Sequence, residues 1–395
     1  MTSKELIRLR LSNQWITRLT VRQTILPSLP FTPADVVAHL GAMQAQDYAM
    51  AKWAVGLRMD NATHDNIEQA IDKGQILRTH VLRPTWHLVH PKDIRWMLAL
   101  SAPRIRAAMA TQQRQLQLDE KIFRRSEKLI EKALAKDQHL TRTELMTRLQ
   151  AAGIATNDIR SSHIMIRAEL NGLVCNGPRA GKQFTYALLE ERVPPAPKLS
   201  RDESIAQLAQ RYFTSHGPAT VHDFAWWSGL SVTDAKKGIE SNSAKWQSIT
   251  LGSQRQGATN PQKYWFITPP APPIATASPT HTARPSASPA HTVLPAATPL
   301  VRIPSAFLLP AFDELLVSYA DRSALLDPAI GKQIITNNGL FYPTILANGK
   351  IAGTWTRIEK PNKITIHQNL IHPVSKTAEK AITTACNKYS KFIGK

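Results

Sequence analysis

The sequence predicts an α+β protein, with tandem winged-helix domains followed by a C-terminal, mostly β domain. Two observations lead there. An order of helix, turn, helix and hairpin recurs along the first 267 residues. Near the end, Asn348-Gly349 separates two apolar runs at 341–346 and 351–355, a strong hairpin signal. The glycine-rich fingerprint of a dinucleotide-binding unit is absent, which argues against the main competing architecture.

Residues 1–100 are expected to form an N-terminal winged-helix domain. Leu6, Leu9, Trp15 and Leu19 recur with helical spacing. In Phe31-Thr32-Pro33-Ala34-Asp35, Thr32 suits an N-cap, Pro33 the first helical position and Asp35 the third. Val36, Val37, Leu40 and Met43 supply that helix's apolar face. Ile67, Ala70 and Ile71 mark another helix closed near Gly74, and residues 85–89 form a short strand before Pro91.

Residues 101–195 read as a second winged-helix domain. An amphipathic helix spans 121–136, and Thr141 caps another that Gly153 closes. Asn157-Asp158-Ile159 opens a third helix through Leu170, ended by Gly172. Leu173-Val174-Cys175 and residues 184–188 then make a hairpin wing. Arg160, His163 and Arg167 recur on or near one face of the last helix, where a recognition helix would carry phosphate contacts. Residues 196–267 repeat the pattern, with a helix through 205–213, caps at Thr220 and Ser231, and a closing strand at 264–267.

The stretch 268–302 changes character. Between 268 and 300 it holds nine of the chain's 27 prolines, a single basic residue (Arg284) and no acidic one. Such composition supports no core and reads as a linker or insertion. Residues 303–395 form the last domain: an apolar run at 307–312, the Asn-Gly hairpin, a strand at 363–367, and a helix after Val374.

Charge narrows the function. Lys and Arg number 49 against 29 acidic residues, a formal net charge of +20, which favours a polyanionic partner. Two cysteines, Cys175 and Cys386, supply neither a disulfide framework nor a thiolate metal cluster, and the 13 histidines form no ligand motif. No cofactor or metal is expected. The N-terminus lacks a secretory apolar region and no apolar run reaches transmembrane length, so the expected location is cytoplasmic, with the bacterial nucleoid as the site when bound to DNA. The expected state is a monomer without membrane contact.

The segment richest in chemistry is Gln44-Ala45-Gln46-Asp47, within residues 39–48. Together with Leu82-Arg83-Pro84-Thr85-Trp86-His87-Leu88-Val89, the run 309–314 through Asp321-Arg322, and Asn348-Gly349-Lys350 through Trp355, it resembles the AlkZ/YcaQ-type winged-helix DNA glycosylases of the HTH_42 superfamily. The resemblance spans most of the chain, and the order of the motifs is more specific than any one of them. It implies tandem winged helices around a basic channel with a C-terminal barrel-like domain beside them. The implied activity is removal of N-alkylated purines from double-stranded DNA, extending in some members to purine-linked interstrand crosslinks. Of two active-site patterns in that family, Gln-x-Gln and Gln-aromatic-Asp, Gln44 and Gln46 match the first.

An N7- or N3-alkylated purine is already cationic and leaves readily, while the sugar develops oxocarbenium character. Glutamines are no strong bases, but they orient water and present carbonyl dipoles to growing positive charge. Gln44 and Gln46 are assigned that role. Their i,i+2 spacing places them on one side only if the segment is extended; in a helix they diverge. Asp47 suits either a catalytic carboxylate or a helix cap. Arg78 and Arg83 suit phosphate ligation, and His87 suits contact with the DNA backbone, support of the catalytic segment, or a purely structural role. Trp86 suits the core better than a stacking platform, and Asp313-Glu314 a structural or DNA-proximal role. No site lysine is singled out for Schiff-base chemistry, so a monofunctional hydrolase is expected. The competing function is a noncatalytic winged-helix DNA-binding protein or transcription regulator, which winged helices alone fit equally well.

Overall fold

The computed structural model describes residues 1–17, 31–251, 261–267, 305–361 and 363–395. Leu19 and the expected linker at 268–302 lie outside them. Helix α1 (Ser3–Asn13) opens the chain. It is followed by α2 (Pro33–Leu40), β1 (Ala42–Gln44), α3 (Tyr48–Leu57), α4 (His64–Asp72), β2 (Leu77–His80) and β3 (Trp86–Val89). Thr32 and Asp35 form a reciprocal capping box with Pro33 in the first turn, so the start of α2 follows from local chemistry. The three strands make an antiparallel sheet in the order β1-β3-β2.

The same sequence of elements returns twice. Helix α5 (Pro91–Gln115) leads to α6 (Glu120–Leu134), β4 (Leu140–Thr141), α7 (Arg142–Ala151), α8 (Arg160–Leu170), β5 (Val174–Asn176) and β6 (Thr185–Leu188), with sheet order β4-β6-β5. Helix α5 runs unbroken past position 100, where the sequence reading ends a domain, and carries Pro103 in its interior. Helix α8 starts at Arg160 rather than Asn157, because Asp158 adopts a left-handed φ of 52°. The third set is α9 (Arg201–Ser215), α10 (Val221–Ser228), α11 (Val232–Glu240), β7 (Gln247–Leu251) and β8 (Gln262–Phe266). Here the first strand shrinks to one bridge, Ala219 to Trp265, so its place beside β8 is kept.

The C-terminal region contains β9 (Ala306–Leu309), the one-turn helix α12 (Glu314–Val317), β10 (Thr344–Ala347), β11 (Lys350–Lys360), β12 (Lys363–Leu370) and α13 (Lys376–Ile393). The β10–β11 turn places Asn348 at φ 50° and Gly349 at φ 81°, the pair of positive angles expected of Asn-Gly. The barrel-like expectation is corrected. Among the described residues the sheet is open, ordered β12-β11-β10-β9, and closure would require its edge strands β9 and β12 to pair.

Three apolar cores explain how the site is held. One fuses the first helix–strand set to the C-terminal sheet: Trp53 on α3 meets Tyr389 and Phe392 of α13 with ring centroids 5.1 Å apart in each case, and donates to the Leu308 carbonyl at 2.8 Å. A second joins α5 to the third set around Tyr212, Phe224 and Trp227, and the remaining one belongs to the second set. Strand β1 lies between the first two. Its alternation sends Ala42 into one core and Met43 into the other, leaving Gln44 at the seam.

Candidate active site

Gln44 is the last residue of β1, opposite His87 of β3. The helical case is excluded, since α3 begins only at Tyr48. Ala45 prolongs the strand by donating its N–H to the Trp86 carbonyl at 2.7 Å, and Gln46 follows in an exposed bend. The glutamine carbonyls turn to the β2–β3 connection and to the first residue of β3. Gln44 Oε1 accepts from Arg83 Nη2 at 3.0 Å, and Gln46 Oε1 from the Trp86 backbone N–H at 2.8 Å. Neither side-chain NH2 has a hydrogen-bond partner among the described residues. Gln44 is 9% exposed and Gln46 is open to solvent, so one amide is embedded and the other reaches out.

Behind Gln44 stands Glu314, for which the sequence reading expected a structural or DNA-proximal role. Its Oε1 accepts the Gln44 backbone N–H at 2.7 Å, and its Oε2 accepts from Trp227 Nε1 at 3.1 Å and from the Ser318 hydroxyl. Burial alone would raise this carboxyl, but the converging donors outweigh it and hold Glu314 well below the usual carboxylate range, at about 2. His216 Nε2 lies 3.6 Å away. Burial lowers the His216 pKa, yet its contact leads the effects that keep Glu314 ionised, ahead of the Ser318 hydroxyl and the Gln44 N–H. Its neighbour Asp313 accepts two bonds from Arg58, at 2.8 and 3.1 Å, with both side chains fully buried. Only the adjacency of Asp313 and Glu314 in the sequence hinted at this; Arg58 and Gln44, which they hold, lie more than 200 residues away.

The other expected site residues fall out differently. Asp47 is the N-cap of α3 and accepts the Met50 N–H at 3.0 Å, the capping alternative. Arg78 is 8% exposed, donates to the Ala45 carbonyl at 3.0 and 3.3 Å, and lies 4.1 Å from the Trp86 ring centroid. Burial lowers its pKa to about 10, so it stays cationic near neutrality. It braces the Gln-x-Gln segment from within. Arg83 likewise holds Gln44, with its pKa lowered by burial and Glu314 opposing that shift.

His87 is fully buried, with Nδ1 2.9 Å from the Thr85 carbonyl; burial, then nearby Arg83, lowers its pKa to about 3. Its burial and its Thr85 contact match the structural alternative given for it. On α8 the three expected phosphate ligands make contacts within the protein. Arg160 donates to the Ala155 carbonyl at 2.9 Å and to the Leu116 carbonyl, Arg167 pairs with Glu120 on α6, and His163 is 5% exposed. Helix α8 turns this face toward its own unit.

Among the described residues, no group of three or more histidines, cysteines or acids is placed to hold a metal ion, and no helix is long and apolar enough to cross a membrane. What the segment offers is polar without being basic: fixed amide dipoles, backed by a buried carboxylate.

Comparison with known proteins agrees in fold and family. Residues 37–392 match the family described as "DNA glycosylase AlkZ-like". A curated relative, the "Interstrand DNA cross-link repair glycosylase" of Streptomyces sahachiroi, is 22% identical over 364 residues, 87% of each chain. The solved structure of Streptomyces sahachiroi DNA glycosylase AlkZ superposes with a TM-score of 0.67 at 19% identity, covering 98% of this chain and 96% of that one.

Proposed function

Since this chain belongs to the AlkZ-like DNA glycosylase family, we propose that it hydrolyses the N-glycosidic bond of N-alkylated purines in double-stranded DNA, with Gln44 and Gln46 at the sugar. The supporting observation is that the β2–β3 connection and the start of β3 pin both glutamine carbonyls, through Arg83 at 3.0 Å and the Trp86 N–H at 2.8 Å. Amides held this way need little reorganisation when charge develops. Each carbonyl oxygen has a second lone pair for a water hydrogen, and each NH2 remains available to donate.

In the reaction so read, the C1′–N bond breaks and its electron pair neutralises the cationic base. The sugar takes up positive charge, water forms the new C1′–O bond, and its proton goes to solvent. No strong base is required, because the leaving base is already activated. The Glu314 carboxylate behind Gln44 adds a negative potential that favours the oxocarbenium-like state. Gln44 and Gln46 are met by a guanidinium and a backbone N–H rather than by a lysine amine, in keeping with a monofunctional hydrolase. Asp47, committed to capping α3, acts through the position of Gln46. A crosslink through two purine nitrogens presents the same cationic leaving group on each strand, so the reading extends to such lesions.

The three repeats of helix, strand, helix, helix and hairpin are read as tandem winged helices, acting as a monomer on DNA. The test is base release from duplex DNA carrying N7-methylguanine. The native protein should free the base, while Gln44→Ala or Gln46→Ala should lower the rate by at least about tenfold with DNA affinity preserved. Sequence-selective binding without release from alkylated or crosslinked duplexes would instead favour a regulator.

A further inference from the structure

Trp226 and Trp227 are neighbours on α10 with opposite surroundings. Trp227 is buried and donates to Glu314. Trp226 is 48% exposed, although its Nε1–H is already fixed on the Val317 carbonyl at 2.9 Å. One edge of the indole is anchored while much of the ring meets water, an arrangement that adds little to the core.

The ring is flanked by one guanidinium and by aromatic side chains. The Arg322 guanidinium lies 5.3 Å from its centroid and 5.2 Å from that of Phe341, and the adjacent Tyr342 is 45% exposed. Arg322 is fixed by its Nε, which donates to the Leu316 carbonyl at 2.7 Å. The patch adjoins the glutamine segment. Helix α10 ends at Gly229, where an added Cβ would meet the Leu82 carbonyl at 2.5 Å and Arg83 Cγ at 3.5 Å, and Arg83 holds Gln44. Gly229 takes φ 69°, so the close approach and the backbone both require glycine.

We propose that Trp226 is a stacking platform for an unpaired base of bound DNA, with Arg322 supplying positive charge for the adjoining phosphate. The proposal rests on the glycosylase reading and deepens it. A base must leave the helical stack before its glycosidic bond can be attacked from within a protein, and stacking on an aromatic ring offsets part of that cost. Such stacking tolerates any base, because every base has a π-face. An anchored indole loses little freedom when a base lies on it, and the neighbouring guanidinium matches the charge of the strand.

The experiment compares binding of the full-length protein, by fluorescence anisotropy, to a labelled duplex with one bulged base and to the same duplex fully paired. The native protein should favour the bulged duplex. Trp226→Ala should weaken bulge binding by roughly 5- to 150-fold, the range for loss of one aromatic stack, and leave paired binding unchanged. Trp226→Phe keeps a ring face without the N–H to Val317 and should restore most of the preference. If the alanine variant melts early, Trp226→Leu, which has bulk but no π-face, decides on the same readout. Unaltered preference in Trp226→Ala, or Trp226→Phe as weak as Trp226→Ala, would overturn the platform. A native protein that binds both duplexes equally would also sink it while sparing the glycosylase reading; binding to neither would sink both.

Discussion

At Glu314 one carboxylate accepts from a backbone amide, an indole and a hydroxyl, all out of water. Removing it strands three donors, each costing about 1–3 kcal/mol when buried without a partner. Glu314→Ala should therefore lower the melting temperature sharply and abolish activity with it. Glu314→Gln separates geometry from charge. The amide carbonyl still accepts from Gln44, but the negative potential is gone, so the expected result is a folded enzyme whose kcat falls at least about tenfold with KM little changed. A folded Glu314→Gln variant with native kcat would mean that the carboxylate only holds Gln44 in place. Arg83 is the complementary case, since it fixes the Gln44 side chain where Glu314 fixes its backbone. Arg83→Ala should therefore lower kcat, measured as base release under saturating enzyme, with a smaller effect on DNA affinity.

At the level of elements, β3 carries a pH liability. Burial keeps His87 neutral down to about pH 3, far below its ordinary value, and its ring gains a proton on unfolding at any pH between the two. The unfolded chain then binds more protons, so stability falls as pH drops from about 6.5 towards 3. His216 acts in the same direction, its pKa also lowered by burial. Melting temperatures measured from pH 7 to pH 4 should decline, and His87→Gln should flatten the decline if the variant folds. Packing between α3 and α13 allows a second check. A Cβ on Gly56 would lie 2.5 Å from the Phe392 ring, which is wedged against Trp53 and Tyr389, so Gly56→Ala should cost about 1–3 kcal/mol in a denaturant titration.

Elements were also where the sequence spoke most clearly. Thr32, Thr141, Thr220 and Ser231 all cap helices as their spacing indicated, because capping is chemistry between residues three apart. Orientation was harder to read. Arg160 and Arg167 share a face of α8 whatever that face meets, and the pairing of Arg167 with Glu120 on α6 could not be seen from spacing. The openness of the last sheet was equally hidden, since strand spacing does not say whether the edges meet. Within the site, the Gln-x-Gln segment was legible as a motif. Its support by Glu314 was not, because that bond joins residues 270 apart.

Considered as a whole, the molecule is less modular than its repeats suggest. The first helix–strand set shares one core with the C-terminal sheet and helix, through Trp53, Trp355 and Tyr389. A fragment ending at residue 267 would expose that surface and leave Gln44 without its buried acceptor. Such a fragment should aggregate or unfold non-cooperatively, and co-expression with 303–395 should rescue it; circular dichroism melts would show either outcome. The net charge of +20 adds a further expectation, that DNA affinity falls steeply as salt is raised from 50 to 200 mM.

The span between Gln44 and Glu314 also sets an order of events during synthesis. The glutamine segment leaves the ribosome early, yet its backbone anchor does not exist until translation has passed residue 314. Throughout that interval the nascent chain has much of its positive charge, and so an affinity for nucleic acid, without an assembled site. A chain stopped before residue 314 is therefore expected to bind nucleic acid without completing the support of Gln44.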